Sequence, residues 1–337
     1  MRAYEIGPQN GLDSLHLVER DTPVPGAGEV AVKVHAVCLN HRDLLTLKGQ
    51  YGALKPEDRI PVSDGVGTVS ALGDNVSGVE IGQRVIAPNF VTWLDGKFTP
   101  AVFGQDLGIS RDGWLAETII LPADAVITVP DDVSDDAAAA IAAAGSTIWN
   151  CICDFGRLEK GDLVLTLGTG GVSILTLQIA KALGAQVAIT SSSDAKLERC
   201  RAMGADYLVN YRENEDWPAA LMAETGGRGA DIVVETAGLN SIEQSIAACA
   251  PNGRIALIGA LSGQLDNVPQ LAGLIGKNVT MKGITAGSRE MLSELVALIS
   301  RAGIEPLIDR KFTFDDAPAA FTYLESGDHM GKVMITL

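Results

Sequence analysis

Residues 165–185 read LTLGTGGVSILTLQIAKALGA. An apolar run that suits a buried strand leads into a glycine cluster, and apolar residues at helical spacing follow it. Glycine permits a tight bend, its missing Cβ lets backbone N–H groups approach a pyrophosphate, and a helix start adds partial positive charge. Ser173 stands where a third glycine is usual and is still small enough for close packing. We predict a dinucleotide-binding turn at Gly168, Thr169, Gly170, Gly171 and Val172.

Strand-like and helix-like segments alternate from residue 162 onward. The predicted strands are 162–167, 186–190, 207–209, 231–235 and 254–258. The predicted helices are 172–183, 195–203, 218–224 and 241–250. Such alternation is typical of βαβ units, so we predict an α/β fold with a doubly wound parallel sheet covered on both faces.

The end of the second predicted strand bears on the choice of cofactor. NAD binding calls for an acidic side chain there, but this strand ends in AITSSS. The hydroxyls of Ser191 and Ser192, with Lys196, suit a 2′-phosphate instead. Tyr211, after the third strand, either packs on the adenine or reaches that phosphate. Asp194 suits the N-cap of the next helix. We therefore expect NADP(H) rather than NAD.

The chain is β-rich before this region and ends in a further strand. The predicted strands are 15–19, 29–36, 67–72 and 332–337, and the predicted helices are about 134–155 and 289–301. Ser134 or Asp135 is expected to cap the first of these helices. Residues 90–115 are rich in aromatic residues and glycine, and form either a long loop over a pocket or an ordinary surface loop.

Composition excludes several classes of partner. The 337 residues include 26 Lys and Arg against 42 Asp and Glu, for a net charge of −16. That charge repels nucleic acid and anionic membranes, so neither is expected as a partner. Five cysteines at irregular spacing do not suggest a disulfide framework. The N-terminus lacks a signal segment, and no apolar run reaches the ~20 residues of a membrane helix, so we expect a cytoplasmic protein.

Motifs along nearly the whole chain resemble the medium-chain dehydrogenase/reductase superfamily, in its zinc-independent quinone oxidoreductase branch. They are the glycine turn and the segments PVPGAGEVAVKVHAVCLNHRDLLTLKG, IPVSDGVGTVSALGDNVSGVEIGQRV, MGADYLVNY, DIVVETAG and GKVMITL. The resemblance implies a GroES-like substrate domain, residues 1–121 and 286–337, split around a Rossmann domain, residues 122–285. It also implies an active site in the cleft between them and a homodimer joined through sheet edges.

The resemblance also bears on metal binding. At the places where zinc-dependent members of the superfamily carry ligands, this chain has Asn40, Ser63 and a residue near Ala143. Residues 86–130, where a structural zinc lobe would lie, contain no cysteine. A catalytic zinc needs about three nitrogen, sulfur or carboxylate ligands. We therefore expect no metal.

Candidate site residues follow from the same motif positions. Asn40 resembles an active-site asparagine that would hydrogen-bond the acceptor, or it fixes the turn after a strand. Tyr51 either donates a proton or stacks on a ring, unless it is a packed surface aromatic. Asp43 either orients its neighbours or acts as a structural cap. The remaining expected cofactor contacts, each with a purely structural alternative, are Thr147, Ala237, Gly259, Ala260 and Lys332.

These expectations converge on hydride transfer. A simple carbonyl that accepts hydride builds charge on one oxygen, whereas a quinone or an α,β-unsaturated carbonyl spreads it. We expect an NADPH-dependent reductase of a quinone or enone that works without zinc. Two alternatives remain open at this point: a zinc-free NAD(P)-dependent alcohol dehydrogenase, and a non-catalytic NADPH-binding protein.

Overall fold

The chain divides into two units, each built around its own sheet. The computed structural model describes residues 1–52, 57–259 and 268–337. The first unit is Met1–Ser146 with Gly287–Leu337, and the second is Thr147–Ala286. An interrupted first unit around a continuous second one agrees with the expected insertion of one domain into another.

The elements have the following bounds. The strands are β1 (Arg2–Ile6), β2 (Leu15–Glu19), β3 (Glu29–Leu39), β4 (Asp64–Leu72), β5 (Arg84–Ile86), β6 (Thr118–Pro122), β7 (Ile127–Thr128), β8 (Leu163–Leu167), β9 (Gln186–Ser191), β10 (Tyr207–Asn210), β11 (Ala230–Glu235), β12 (Cys249–Leu257), β13 (Thr280–Gly283), β14 (Ile308–Thr313) and β15 (Lys332–Thr336). The helices are α1 (His41–Leu47), α2 (Asp135–Ile141), α3 (Ala143–Trp149), α4 (Gly171–Ala182), α5 (Asp194–Ala202), α6 (Trp217–Glu224), α7 (Ile242–Ala248), α8 (Ala272–Gly276), α9 (Arg289–Ala302) and α10 (Ala317–Ser326).

The second unit contains the predicted parallel sheet. Its described strands run in the order β10-β9-β8-β11-β12-β13, and every neighbouring pair is parallel. All five residues of the central strand β8 are buried, as expected for a strand covered on both faces. This order, in which the chain winds outward from β8 in both directions, is that of a doubly wound dinucleotide-binding fold. The predicted α/β fold class is confirmed.

The first unit is built on a mixed sheet. Its strand order is β14-β15-β3-β4-β5-β7, with β6 also paired to β3. The last strand, β15, lies between β14 and β3 and is antiparallel to β3. The end of the chain therefore returns to the N-terminal sheet, as the sequence predicts.

The helix predicted over 134–155 begins as expected but is divided. Ser134 Oγ accepts a hydrogen bond from the Ala137 N–H at 3.1 Å, which is the predicted N-cap. The chain then forms α2, α3 and a π-helical turn over Asn150–Asp154. The alanines of α2 are buried, and α2 packs on β3 and β4 of the first unit. For this reason the first unit extends to Ser146, whereas the sequence placed its boundary after residue 121.

Residues 90–115 are largely irregular, with a short 3-10 turn at Pro100–Gln105. Edge-to-face aromatic contacts stabilise this loop, with Phe90 on Phe103 at 5.4 Å and Trp93 on Phe98 at 5.5 Å between ring centroids. The loop is therefore packed on itself. Within the described part of the chain, none of the helices has the length and apolar character needed to cross a membrane.

Candidate active site

The glycine turn joins β8 to α4 in the second unit. Gly168 has a φ of 76°, in the left-handed region that favours glycine. Gly170, the N-cap of α4, has a φ of −74°, which any residue can adopt. A Cβ built at Gly170 would meet no described atom within 4 Å. Neither conformation nor packing requires glycine at this position, so the space left open at the start of a 12-residue helix fits a pyrophosphate.

Hydroxyl groups hold the end of β8 next to this turn. Ser173 Oγ donates to the Leu167 carbonyl oxygen at 2.7 Å, and Thr236 Oγ1 donates to the same oxygen at 2.8 Å. Ser173 therefore has a role that a third glycine would not supply, because it ties the first turn of α4 to the strand. The other residues of the predicted cradle, Thr169, Gly171 and Val172, lie at this turn and are buried or half-buried.

The predicted phosphate-reading residues lie at the carboxyl ends of β9 and β10. The Tyr211 N–H donates to the Ser191 carbonyl oxygen at 3.1 Å, and the Tyr211 side chain is 42% exposed. Ser191 Oγ accepts from the Ser193 N–H at 3.2 Å, while Ser192 is half-buried. Lys196 lies in the first turn of α5. The structure thus brings Ser191 and Tyr211 together at one edge of the sheet.

The predicted N-cap at Asp194 is wrong. Ser193 is the N-cap of α5, and its hydroxyl accepts from the Lys196 N–H at 3.4 Å. Asp194 is the first helical residue, and its carboxylate accepts from Asn210 Nδ2 at 2.7 Å. Ser193 has the extended backbone of an N-cap, and its hydroxyl accepts from the amide three residues later, whereas Asp194 already lies within the helix. The carboxylate of Asp194 is thereby tied to the end of β10.

Glu235, at the end of β11, is a site residue that the sequence analysis missed. Its side chain is 0% exposed. Oε1 accepts from the Ala237 N–H at 2.8 Å, the Gly238 N–H at 3.0 Å and Ser241 Oγ at 2.8 Å, and Oε2 accepts from Ser245 Oγ. A lone carboxylate at the end of the apolar run IVVE is the signal that would have found it. Glu235 fixes the loop that carries the predicted cofactor contact Ala237.

The remaining predicted cofactor contacts of the second unit are Gly259, Thr147 and Ala260. A Cβ on Gly259 would lie 2.2 Å from the Thr236 carbonyl oxygen, so close backbone approach requires glycine here. Thr147 is buried in α3. Ala260 lies outside the described residues. Their contacts with a cofactor stay predictions.

In the first unit, Asn40 and Asp43 form the start of α1. The Asn40 N–H donates to Asp43 Oδ2 at 2.7 Å, so the predicted cap at Asp43 is present. Burial raises the pKa of Asp43 to about 7, and Asp64 adds to this effect, while Arg42 and Lys332 oppose it. The Nδ2 of Asn40 is enclosed and has no hydrogen-bond partner among the described residues. A buried donor without an acceptor leaves one hydrogen bond unmade.

Lys332, the first residue of β15, lies against this pair. Its side chain is only 3% exposed. Nζ donates to Asn40 Oδ1 at 2.6 Å and to the Leu39 carbonyl oxygen at 3.1 Å. The ammonium group therefore contacts the predicted acceptor-binding asparagine within the first unit, and the predicted contact with a cofactor stays untested.

Tyr51 lies on a buried ion pair. The Arg42 guanidinium is 4.9 Å from the centroid of the Tyr51 ring, and its Nη2 is 2.6 Å from Asp106 Oδ2. Burial raises the pKa of the Tyr51 phenol, and Arg42 partly offsets the effect. Asp106 also anchors the aromatic loop to α1. Tyr51 is thus held as a neutral ring beside the helix that carries Asp43.

Two of the superfamily's zinc-ligand places, Ser63 and Ala143, hydrogen-bond to the same carboxyl group, that of Asp64. Ser63 Oγ donates to Asp64 Oδ1 at 2.8 Å, and the Ala143 N–H donates to Asp64 Oδ2 at 3.0 Å. Burial raises the pKa of the nearby Cys38 thiol to about 12. Nowhere in residues 1–52, 57–259 or 268–337 do three His, Cys, Asp or Glu side chains form a possible metal group.

Comparisons with known proteins agree with the two units. A model described as "Alcohol dehydrogenase GroES-like domain" matches residues 26–131, and one described as "Zinc-binding dehydrogenase" matches residues 171–301. A zinc-type alcohol dehydrogenase-like protein of Schizosaccharomyces pombe is 37% identical over 97% of this chain and 96% of its own length. The chain belongs to the medium-chain dehydrogenase/reductase superfamily. Members of this superfamily use nicotinamide cofactors.

Other medium-chain dehydrogenase/reductase proteins cover the whole chain. The crystal structure of a putative alcohol dehydrogenase from Sinorhizobium meliloti is 38% identical, with a TM-score of 0.91 over 99% of this chain and 98% of that one. An acryloyl-coenzyme A reductase from Sulfurisphaera tokodaii is 28% identical over 99% of both proteins. This chain is therefore an oxidoreductase of the medium-chain dehydrogenase/reductase type.

The buried carboxyl group of Asp43 makes stability depend on pH. Because its folded-state pKa is about 7 against 3.8 for an unperturbed group, its ionisation cost is absent below pH 4 and complete above pH 7. Asp43→Asn keeps an oxygen that can accept from the Asn40 N–H but removes the charge. We expect the variant to gain stability relative to the wild type as pH rises from 5 to 8, by about 3 kcal/mol.

Urea denaturation at several pH values measures this difference. The control is Asp95→Asn, which makes the same charge change at an exposed position of the same unit. Parallel pH profiles for wild type and Asp43→Asn would contradict a raised pKa at Asp43.

Proposed function

We propose that the chain is an NADPH-dependent oxidoreductase that transfers hydride to a quinone or an α,β-unsaturated carbonyl without zinc. The observation that carries the proposal is the enclosed Nδ2 of Asn40, a donor without a partner at a zinc-ligand place of the superfamily. An amide is a neutral hydrogen-bond donor rather than a Lewis acid. It suits an acceptor whose own conjugation spreads the charge that arrives with the hydride.

The two units supply different parts of this chemistry. Residues of the glycine turn and the Glu235 loop would hold the cofactor, and bound NADPH would supply the hydride. Asn40 donates a hydrogen bond to the acceptor oxygen. Tyr51 supplies a neutral aromatic ring, fixed by Arg42, for a flat acceptor to pack against.

Preference for NADPH rests on the ends of β9 and β10. The hydroxyls of Ser191 and Ser192 stand where NAD-binding chains place a carboxylate. The nearest carboxylate along the chain, Asp194, is hydrogen-bonded to Asn210. We expect Lys196 and Tyr211 to complete the phosphate site, and the Michaelis constant for NADPH to be at least about tenfold below that for NADH.

A conjugated acceptor is also supported by one of the relatives. The name of the acryloyl-coenzyme A reductase states reduction of an α,β-unsaturated acyl group. The second candidate is an alcohol dehydrogenase. The names of the Schizosaccharomyces and Sinorhizobium proteins favour alcohol dehydrogenase chemistry, and the first of them, a zinc-type protein, gives no support to a zinc-free form. The two candidates differ in acceptor chemistry and are separated by the same assay.

The test is steady-state turnover, measured on protein whose metal content has been determined. We expect NADPH oxidation with 1,4-benzoquinone or a simple enone at a kcat/KM at least about 100-fold above that for a saturated aldehyde. Addition of a chelator should leave this rate unchanged. Oxidation of simple alcohols with NADP or NAD, without turnover of conjugated acceptors, would support the alcohol dehydrogenase instead. One tightly bound zinc per chain, lost together with activity, would overturn the zinc-free reaction.

The expected small-molecule acceptor belongs to this proposal. The homodimer and the cytoplasmic location stay predictions from the sequence. Strands β10 and β13 form the two edges of the described parallel sheet, where a sheet-edge dimer would form.

A further inference from the structure

The side chain of Lys332 is buried, and its amino group lies against Asn40. A lysine that is 3% exposed costs free energy unless its ammonium group is well bonded. Here Nζ donates to two neutral oxygens, Asn40 Oδ1 at 2.6 Å and the Leu39 carbonyl at 3.1 Å, and it also interacts with the Cys38 thiol. Both acceptors belong to the junction of β3 and α1. The ammonium group is therefore directed at one short segment of the chain.

This contact decides which way round the Asn40 amide lies. An ammonium group has three donors and no acceptor, so it can bond only the oxygen of an amide. Because Oδ1 faces Lys332, Nδ2 must point to the other side. Nδ2 is the atom that is enclosed and has no partner in the described structure. Lys332 thus fixes the Asn40 amide with its donor group, Nδ2, on the side away from the lysine.

Other polar groups surround the contact between Lys332 and Asn40. The carboxyl groups of Asp43 and Asp64 lie close enough to interact electrostatically with this cluster, as does the Cys38 thiol. Asp43 also holds the Asn40 backbone through its N–H at 2.7 Å. The side chain and the main chain of Asn40 are therefore fixed by different partners. The hydrogen bond from the lysine ammonium group to Oδ1 also polarises the amide and strengthens the hydrogen bond that Nδ2 can donate.

We propose that Lys332 is a positioning residue that orients and polarises Asn40 so that its Nδ2 binds the acceptor oxygen. The proposal rests on the proposed function, because it assigns the reason why Asn40 binds that oxygen. It differs from the expectation, drawn from resemblance, that Lys332 contacts the cofactor. A cofactor contact would act on NADPH affinity, whereas a positioning residue acts on turnover through Asn40.

The test compares Lys332→Met, Lys332→Gln, Asn40→Ala and the Lys332→Met/Asn40→Ala double variant. Methionine keeps the apolar stem without the charge, and glutamine keeps a neutral donor for Asn40 Oδ1. We expect Lys332→Met to lower kcat with a quinone by about 10- to 100-fold, the range of a lost charge-assisted hydrogen bond. The dissociation constant for NADPH should stay within about twofold of the wild type.

Coupling between the two residues gives the decisive result. If Lys332 acts through Asn40, the double variant should be no slower than Asn40→Ala alone. Lys332→Gln should recover part of the loss and carries the test if the methionine variant does not fold. Additive losses in the double variant, or a more than tenfold loss of NADPH affinity with kcat preserved, would overturn the positioning role.

A readout without turnover separates this inference from the proposed function. The side-chain amide protons of Asn40, observed by NMR in the full chain without substrate, should shift strongly in Lys332→Gln. If conjugated acceptors are not turned over but these resonances shift, the proposed reaction fails while the orientation of Asn40 by Lys332 stands. Unchanged amide resonances would overturn the orientation whatever the reaction proves to be.

Discussion

Valine at position 170 should abolish measurable NADPH binding without unfolding the protein. Gly170 has ordinary backbone angles, and a Cβ there meets no described atom within 4 Å, so a side chain costs the free protein little. The same side chain would fill the space next to the first N–H groups of α4, where a pyrophosphate is expected to bind. We expect affinity to fall by at least about 100-fold, because a displaced phosphate loses several charge-assisted hydrogen bonds.

Fluorescence titration with NADPH measures the affinity, and thermal melting measures stability. The matched control is Gly276→Val. Gly276 lies at the end of α8 in the same unit, also has ordinary backbone angles, and also has open space around its Cβ position. Both variants should melt within a few degrees of the wild type. Normal NADPH affinity in Gly170→Val would show that the glycine turn is not the cofactor site.

Five of the six described strands in the sheet of the second unit could be predicted from the sequence because their physical signals are local, whereas β13, which is short and largely exposed, was not predicted. The strands β8, β9 and β11 are short, buried and largely apolar, and a helix follows each of them along the chain. The predicted strand at 162–167 and helix at 172–183 differ from β8 and α4 by one residue at their ends. The glycine turn is equally local, since strand, bend and helix are contiguous in the chain.

The boundary between the units could not be predicted in the same way. The alanine-rich helix α2 packs mainly on β3 and β4, which are more than sixty residues away in sequence. Alanines pack equally well against either unit, so composition alone does not assign them. The contacts of β7 with β5 show the same dependence on distant pairing.

Residue roles in the site were also decided by distant partners. Asn40 and Asp43 are close in sequence, and their capping contact was open to prediction. The contact between Lys332 and Asn40 joins residues that are 292 positions apart, so no local sequence pattern predicts it. Asp194 illustrates an error of local prediction. Its residue type favours an N-cap, but Ser193, one position earlier, is the N-cap in the structure.

Replacement of Glu235 by alanine should destabilise the second unit by about 4 kcal/mol or more. The carboxylate is fully buried and accepts hydrogen bonds from two backbone N–H groups and from the hydroxyls of Ser241 and Ser245. Alanine would leave the buried Gly238 N–H and Ser245 hydroxyl without this acceptor, at about 1–3 kcal/mol each, and the cavity left by the side chain adds to the loss. The loop that begins at Ala237 would then lose its fixed conformation, so NADPH affinity should fall as well.

Chemical denaturation and amide hydrogen exchange measured on the peptide spanning β11 and α7 test this expectation. Exchange gives a local readout, which matters because two units can unfold separately. Glu243→Ala is the control, since Glu243 lies on α7 but accepts a hydrogen bond from the Gln270 N–H at the surface. That variant should change stability by no more than about 1 kcal/mol. If Glu235→Ala were as stable as Glu243→Ala, with unchanged exchange in this segment, the carboxylate would not be what orders the loop. Some other contact would then have to fix the backbone at Ala237, the predicted cofactor contact.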